Sequence, residues 1–99
     1  MLFIVSWTAY PEHRDTAIKR FVETGGKPPA GITLLGRWHA VGPLAGFALA
    51  ETDDLQALST WTMEWSDLLH FEVHPALTDD QFGQSLAANQ AYWTRPPGS

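Results

Sequence analysis

Apolar and polar positions alternate from Leu2 to Thr8, with Phe3, Val5 and Trp7 on one face and Leu2, Ile4, Ser6 and Thr8 on the other, which predicts a strand. Both faces begin apolar, the pattern of a strand inside a sheet covered on two sides. After Pro11 the period lengthens. Ala17, Ile18, Phe21 and Val22 form a helical stripe, Pro11 suits a first helical position, and Glu12 and Asp15 favour the positive end of the helix dipole. Gly25 and Gly26 end this first helix, and residues 27–31, with two prolines, read as a loop. Period-two alternation returns from Ile32 to Val41: Thr33, Leu35, Arg37, His39 and Val41 oppose Ile32, Leu34, Gly36, Trp38 and Ala40. Arg37 and His39 are therefore expected together, facing away from Trp38. Residues 42–46 supply turn chemistry, and Phe47 to Glu51 make a third strand that pairs with the second. Gly46, Ala48 and Ala50 line one of its faces and leave room for a bulky neighbour.

Asp53, with Gln56 three residues on, predicts a capping box opening a second helix whose inner face carries Leu55, Leu58, Trp61, Thr62 and Trp65. Ser66 and Asp67 end it. Leu68 to Leu77 is the fourth strand, with Pro75 tolerated near its end, and Thr78 with Gln81 is a capping box for a third helix bearing Phe82, Leu86, Asn89 and Trp93 on one side. The order is the split βαββαβ pattern, an α+β, ferredoxin-like fold with a four-stranded antiparallel sheet and an added C-terminal helix. A single domain over 1–94 and a mobile tail over 95–99 are expected. The usual strand order, 4-1-3-2, puts both crossover helices on one face and leaves the other bare. An apolar bare face seldom stays in water, so the chain is expected to form a homodimer.

Composition narrows the function classes. The chain has 99 residues, 44% of them hydrophobic, and no cysteine, so it can build one core but no disulfide framework or thiolate site. A cytoplasmic location follows as the expectation, since no stretch approaches the roughly 20 apolar residues of a membrane span and the first residues lack a basic leader. The net charge of −5 is uneven: residues 1–37 hold five of the six Lys and Arg, while 38–94 hold eight acids and no basic residue. An anionic surface of that kind excludes nucleic acid as a partner.

His70, Glu72 and His74 alternate on one face of the fourth strand and invite a metal reading. Residues four apart on a strand are about 13 Å apart, and His39, on the opposite edge, is roughly 14 Å off, so no metal site is expected. Acid–base chemistry suits His70 and Glu72 better, because a carboxylate holds a neighbouring imidazole near a useful pKa. The plain alternative is a solvated edge strand. Trp7, Arg37, Trp38, His39, Trp65 and His74 are the candidate ligand-binding residues, with Trp61 a further aromatic. Tryptophans at helical spacing commonly serve as core, and an arginine commonly pairs with an acid. There is no nucleophile elbow and no glycine-rich phosphate loop, haem would rest on lone histidines, and no cofactor is expected.

Several blocks in order carry a resemblance: Leu35 to Ala40 (Leu-Gly-Arg-Trp-His-Ala), Glu51 to Asp54, Trp61, Trp65 to Leu69 and Phe71 to Pro75. Over most of its length, to about Thr78, the chain resembles the short bacterial proteins of domain-of-unknown-function family 3303. By fold that family is similar to the dimeric α/β-barrel proteins, which include cofactor-independent monooxygenases, muconolactone-type isomerases, stress proteins and haem-binding enzymes. The resemblance implies a dimer with a cleft but transmits no function. Two readings follow. One is a small homodimer binding a small aromatic molecule, as a cofactor-independent isomerase, cyclase or monooxygenase. The other is a non-catalytic dimeric binding or regulatory module.

Overall fold

Alternation in the sequence becomes a four-stranded antiparallel sheet in the structure, a computed structural model that describes residues 1–97. Its strands are β1 (Leu2–Ala9), β2 (Thr33–His39), β3 (Ala45–Glu51) and β4 (Leu69–Ala76), ordered β2-β3-β1-β4. Read from the other edge, this is the ferredoxin-like 4-1-3-2 order. The central β1 pairs on both sides, Val5 opposite Ala48 of β3 and Val73 of β4.

Two helices, α1 (Arg14–Thr24) and α2 (Leu55–Met63), cover the face that carries Phe3, Val5 and Ala50. Ala17 of α1 and Leu58 and Trp61 of α2 join those residues in one core cluster. Ala48 and Ala50, both 0% exposed, keep the middle of the sheet low enough for helix side chains to pack on it. Pro11 opens a 3-10 turn, Pro11–His13, and α1 begins after it. The helix ends as expected: Gly25 sits at φ 70°, in the left-handed region open to glycine, and its N–H donates to Phe21 O.

The N-cap of α2 is Asp54, which corrects the expectation of Asp53. The Asp54 carboxylate accepts from the Ala57 N–H at 3.0 Å. The reason lies one residue earlier. The Thr52 hydroxyl accepts from the Asp54 N–H at 2.9 Å and donates to Gly31 O at 2.8 Å, holding Asp54 in the extended backbone that a cap requires. Asp53 points to solvent and accepts from the Met1 amino group.

A bulge in β2 is a second departure. Pairing with β3 runs Leu34 opposite Ala50, then Gly36 opposite Leu49 and Arg37 opposite Ala48, so Leu35 has no partner. The extra residue shifts the phase. Leu34 and Arg37 thus face the helices together, although strict alternation had set them on opposite faces.

The capping box of Thr78 and Gln81 forms as expected and opens α3 (Asp79–Ala88). The helix breaks at Asn89, and a short α4 (Gln90–Trp93) follows, with the Trp93 indole N–H donating back to Leu86 O at 2.9 Å. No residue of α3 or α4 is buried. They lengthen a molecule whose extents are 54 × 30 × 20 Å. Of the tail expected over 95–99, Gly98 and Ser99 lie outside the described residues. Among those described, no helix is long and apolar enough to cross a membrane.

Candidate functional site

Trp7 is the last large side chain on the helix-covered face of β1, and it stands opposite Gly46 of β3 and Phe71 of β4. Glycine is required at 46, because a Cβ there would come within 2.7 Å of Trp7 Cζ2. The indole therefore lies against the β3 backbone, in the space that a side chain at 46 would need. Facing it, Phe21 projects from α1, Trp61 from α2, and Trp65 from the turn after α2. Together they wall a cavity of about 340 Å³ between the sheet and the two helices. That volume falls in the range of small-molecule sites.

Two ionisable groups line this cavity, Arg37 and His39, both from β2, and among the described residues no carboxylate does. Arg37 Nη1 donates to Gly26 O at 2.7 Å and Nη2 to Gly25 O at 2.9 Å, and the guanidinium lies 4.9 Å from the centre of the Phe21 ring. It thus ties down the carbonyls at the C-terminal end of α1, where a cation is favoured. Burial pushes its pKa down, yet a guanidinium remains charged at any ordinary pH. His39 meets Trp7 and Phe21 edge to face, with ring centroids 5.9 and 5.5 Å away, and its own surface is exposed at the cavity edge. A flat organic molecule could lie among these aromatic walls with Arg37 and His39 as its polar contacts.

Of the residues singled out in the sequence, Trp7, Arg37, His39 and Trp65 come together here. Trp38 does not. It lies on the other face of the sheet, half exposed and stacked on Phe47 with centroids 5.3 Å apart. His70, Glu72 and His74 also lie on that other face, on the outer strand β4, opposite Thr8, Ser6 and Ile4. All three are exposed, and Glu72 approaches His74, with Oε2 3.9 Å from Nε2, instead of the expected partner His70. Within one chain the sheet therefore lies between the two sets. Among the described residues no three His, Asp or Glu side chains gather as metal ligands. Phe21 and Phe71 were not singled out, although strand parity sets Phe71 beside Trp7 and helical spacing sets Phe21 beside Ala17.

Fold and cavity together define an α+β protein of ferredoxin-like topology with a chamber between sheet and crossover helices. The chain belongs to the family described as Domain of unknown function (DUF3303), whose model matches residues 1–90. Among solved structures it is similar to a provisionally named antibiotic biosynthesis monooxygenase from Deinococcus radiodurans, with 16% identity, a TM-score of 0.47, and coverage of 79% of this chain and 94% of that one. It is also similar to MupZ from Pseudomonas fluorescens, with 16% identity, a TM-score of 0.38, and coverage of 93% of this chain and 83% of that one. No curated protein matches it. Likenesses this distant say nothing of what the chain binds.

Proposed function

We propose that this protein is a homodimer that binds one small, flat aromatic molecule per chain in the cavity between its sheet and its two crossover helices. The observation that carries this reading is the cavity itself: about 340 Å³, walled by Trp7, Phe21, Trp61 and Trp65, with Arg37 and His39 as its ionisable groups. An apolar chamber with a few convergent polar side chains is the form that small-molecule sites take. The dimer is supported by the opposite face of the sheet, where Ile4, Leu35, Trp38 and Phe47 are between 38% and 56% exposed. A row of that kind favours burial against a second copy.

One observation also favours catalysis over binding alone. The His39 imidazole stands beside the cavity with no hydrogen-bond partner among the described residues, so its nitrogens are open to exchange a proton with a bound ligand. That role suits an isomerase or cyclase working without a cofactor. His70 and Glu72, exposed on the far face, have no enclosing wall to exclude water and are the weaker candidates for chemistry.

Tryptophan fluorescence tests the reading. A panel of aromatic ligands is expected to include members that quench saturably, with one site per chain. The quench should weaken in Trp7→Phe and persist in Trp38→Phe. Absence of saturable quenching across the panel would refute the site. For catalysis, His39→Gln should abolish turnover, a larger effect than any loss of ligand affinity accounts for, and His70→Gln should change neither.

A further inference from the structure

We infer that the cavity selects aromatic monocarboxylates and that Arg37 is the residue that reads the carboxylate. The inference rests on the reading of this cavity as the ligand site and adds the charge of what enters it.

Arg37 differs from the other arginines of the domain body. Arg14 pairs with Asp15 and Arg20 with Asp67, whereas Arg37 has no carboxylate within 4.0 Å among the described residues. A guanidinium carries five N–H donors in a planar fork. Two are spent on Gly25 O and Gly26 O, and the other three have no partner among the described residues. The two carbonyls and the ring of Phe21 hold the fork in place before any ligand arrives, so little side-chain entropy would be lost on binding.

The surroundings then set the ligand's charge and shape. A half-buried cation beside an apolar space is poorly solvated, and burial lowers its pKa for that reason. Among the described residues no Asp or Glu lines the cavity, so the ligand is the natural source of a counter-charge. A carboxylate fits a guanidinium fork by two parallel hydrogen bonds. The remaining walls, Trp7, Phe21, Trp61, Trp65 and Phe71, suit an aromatic ring behind it. Polyanions are disfavoured by the chain's net charge of −5, against which the cavity offers one fixed positive group. The competing role for Arg37 is to tie down the end of α1 and nothing more.

Calorimetric titration of the full chain with one-, two- and three-ring aromatic carboxylates, each beside its neutral carboxamide, separates these possibilities. The best acid is expected to bind about tenfold or more tightly than its amide, the increment of a charge-assisted hydrogen bond. In Arg37→Gln the acid should lose its advantage and bind no more tightly than the amide does to the same variant. Arg37→Lys, which keeps the charge but lacks the fork, should lie between. If acid and amide bind the wild-type chain equally, the carboxylate inference is overturned and the cavity remains a ligand site. If neither class binds, both readings fall. The wild-type comparison decides the matter even if the Arg37 variants fold poorly.

Discussion

Asp53 and Asp54 are adjacent acids with unlike duties. Either could cap a helix by composition, and the pattern of apolar residues after them tolerates a shift of one. The choice is made by Thr52, 4% exposed, whose hydroxyl receives the Asp54 N–H and reaches back to Gly31. Asp54→Ala should therefore cost about 0.5 to 2 kcal/mol, while Asp53→Ala, which removes only an exposed partner of the Met1 amino group, should cost less. Leu58→Ala, which empties a site only 6% exposed, should cost more, about 2 to 5 kcal/mol. Urea melts of the three variants give the ranking, and a larger loss at Asp53 than at Asp54 would contradict it. Parity was the more legible signal in the candidate site. It correctly set Arg37 and His39 against Trp38, so Trp38 was separable from the other ligand candidates by alternation alone. His70, Glu72 and His74 share a face because alternation requires it, but the sequence could not say that the helices cover the opposite one. The first strand is apolar on both faces, and the choice between them depends on Ala48 and Ala50 lying level with the sheet beside Val5 and Phe3.

Among the elements, the order and type of the four strands and the crossover helices were legible from their apolar periods, whereas the β2 bulge left no trace in composition. Leu35 is an ordinary strand residue by type, and its bulge lets Leu34 and Arg37 both face the helices. Another tertiary feature links α1 to the turn after α2. Arg20 grips Asp67 through two parallel hydrogen bonds of 2.8 and 2.9 Å, donates to Glu64 O at 2.9 Å, and lies 5.5 Å from the centre of the Trp65 ring. The clamp braces the Trp65 wall of the cavity. The Arg20 hydrogen bond depresses the Asp67 pKa below its ordinary value of 3.8. A depressed carboxylate pKa stabilises the fold above the unfolded-state value, and the contribution is lost as pH falls through the folded-state value. Asp67→Asn should thus lower stability at neutral pH and flatten its decline below about pH 4. Urea midpoints across the acid range measure this, and parallel curves for variant and wild type would contradict it.

At the scale of the whole molecule, the radius of gyration of 17.4 Å exceeds the roughly 13 Å of a compact chain this long. The excess comes with α3 and α4, where Phe82, Tyr92 and Trp93 are all more than half exposed. An arm without a buried residue gains little from its own chain, and the uncovered sheet face offers a second apolar surface. Both are satisfied if two copies join, so light scattering at micromolar concentration should report a particle twice the 11.0 kDa chain mass. A monodisperse monomer would contradict the dimer while leaving the cavity untouched. Which side of the sheet holds the ligand is read directly by a chemical-shift map of the labelled protein titrated with the tightest aromatic carboxylate. Shifts are predicted at Trp7, Phe21, His39 and Trp61, with His70, Glu72 and His74 unmoved. Shifts confined to those last three residues and Trp38 would put the ligand on the other face of the sheet and contradict the cavity as its site.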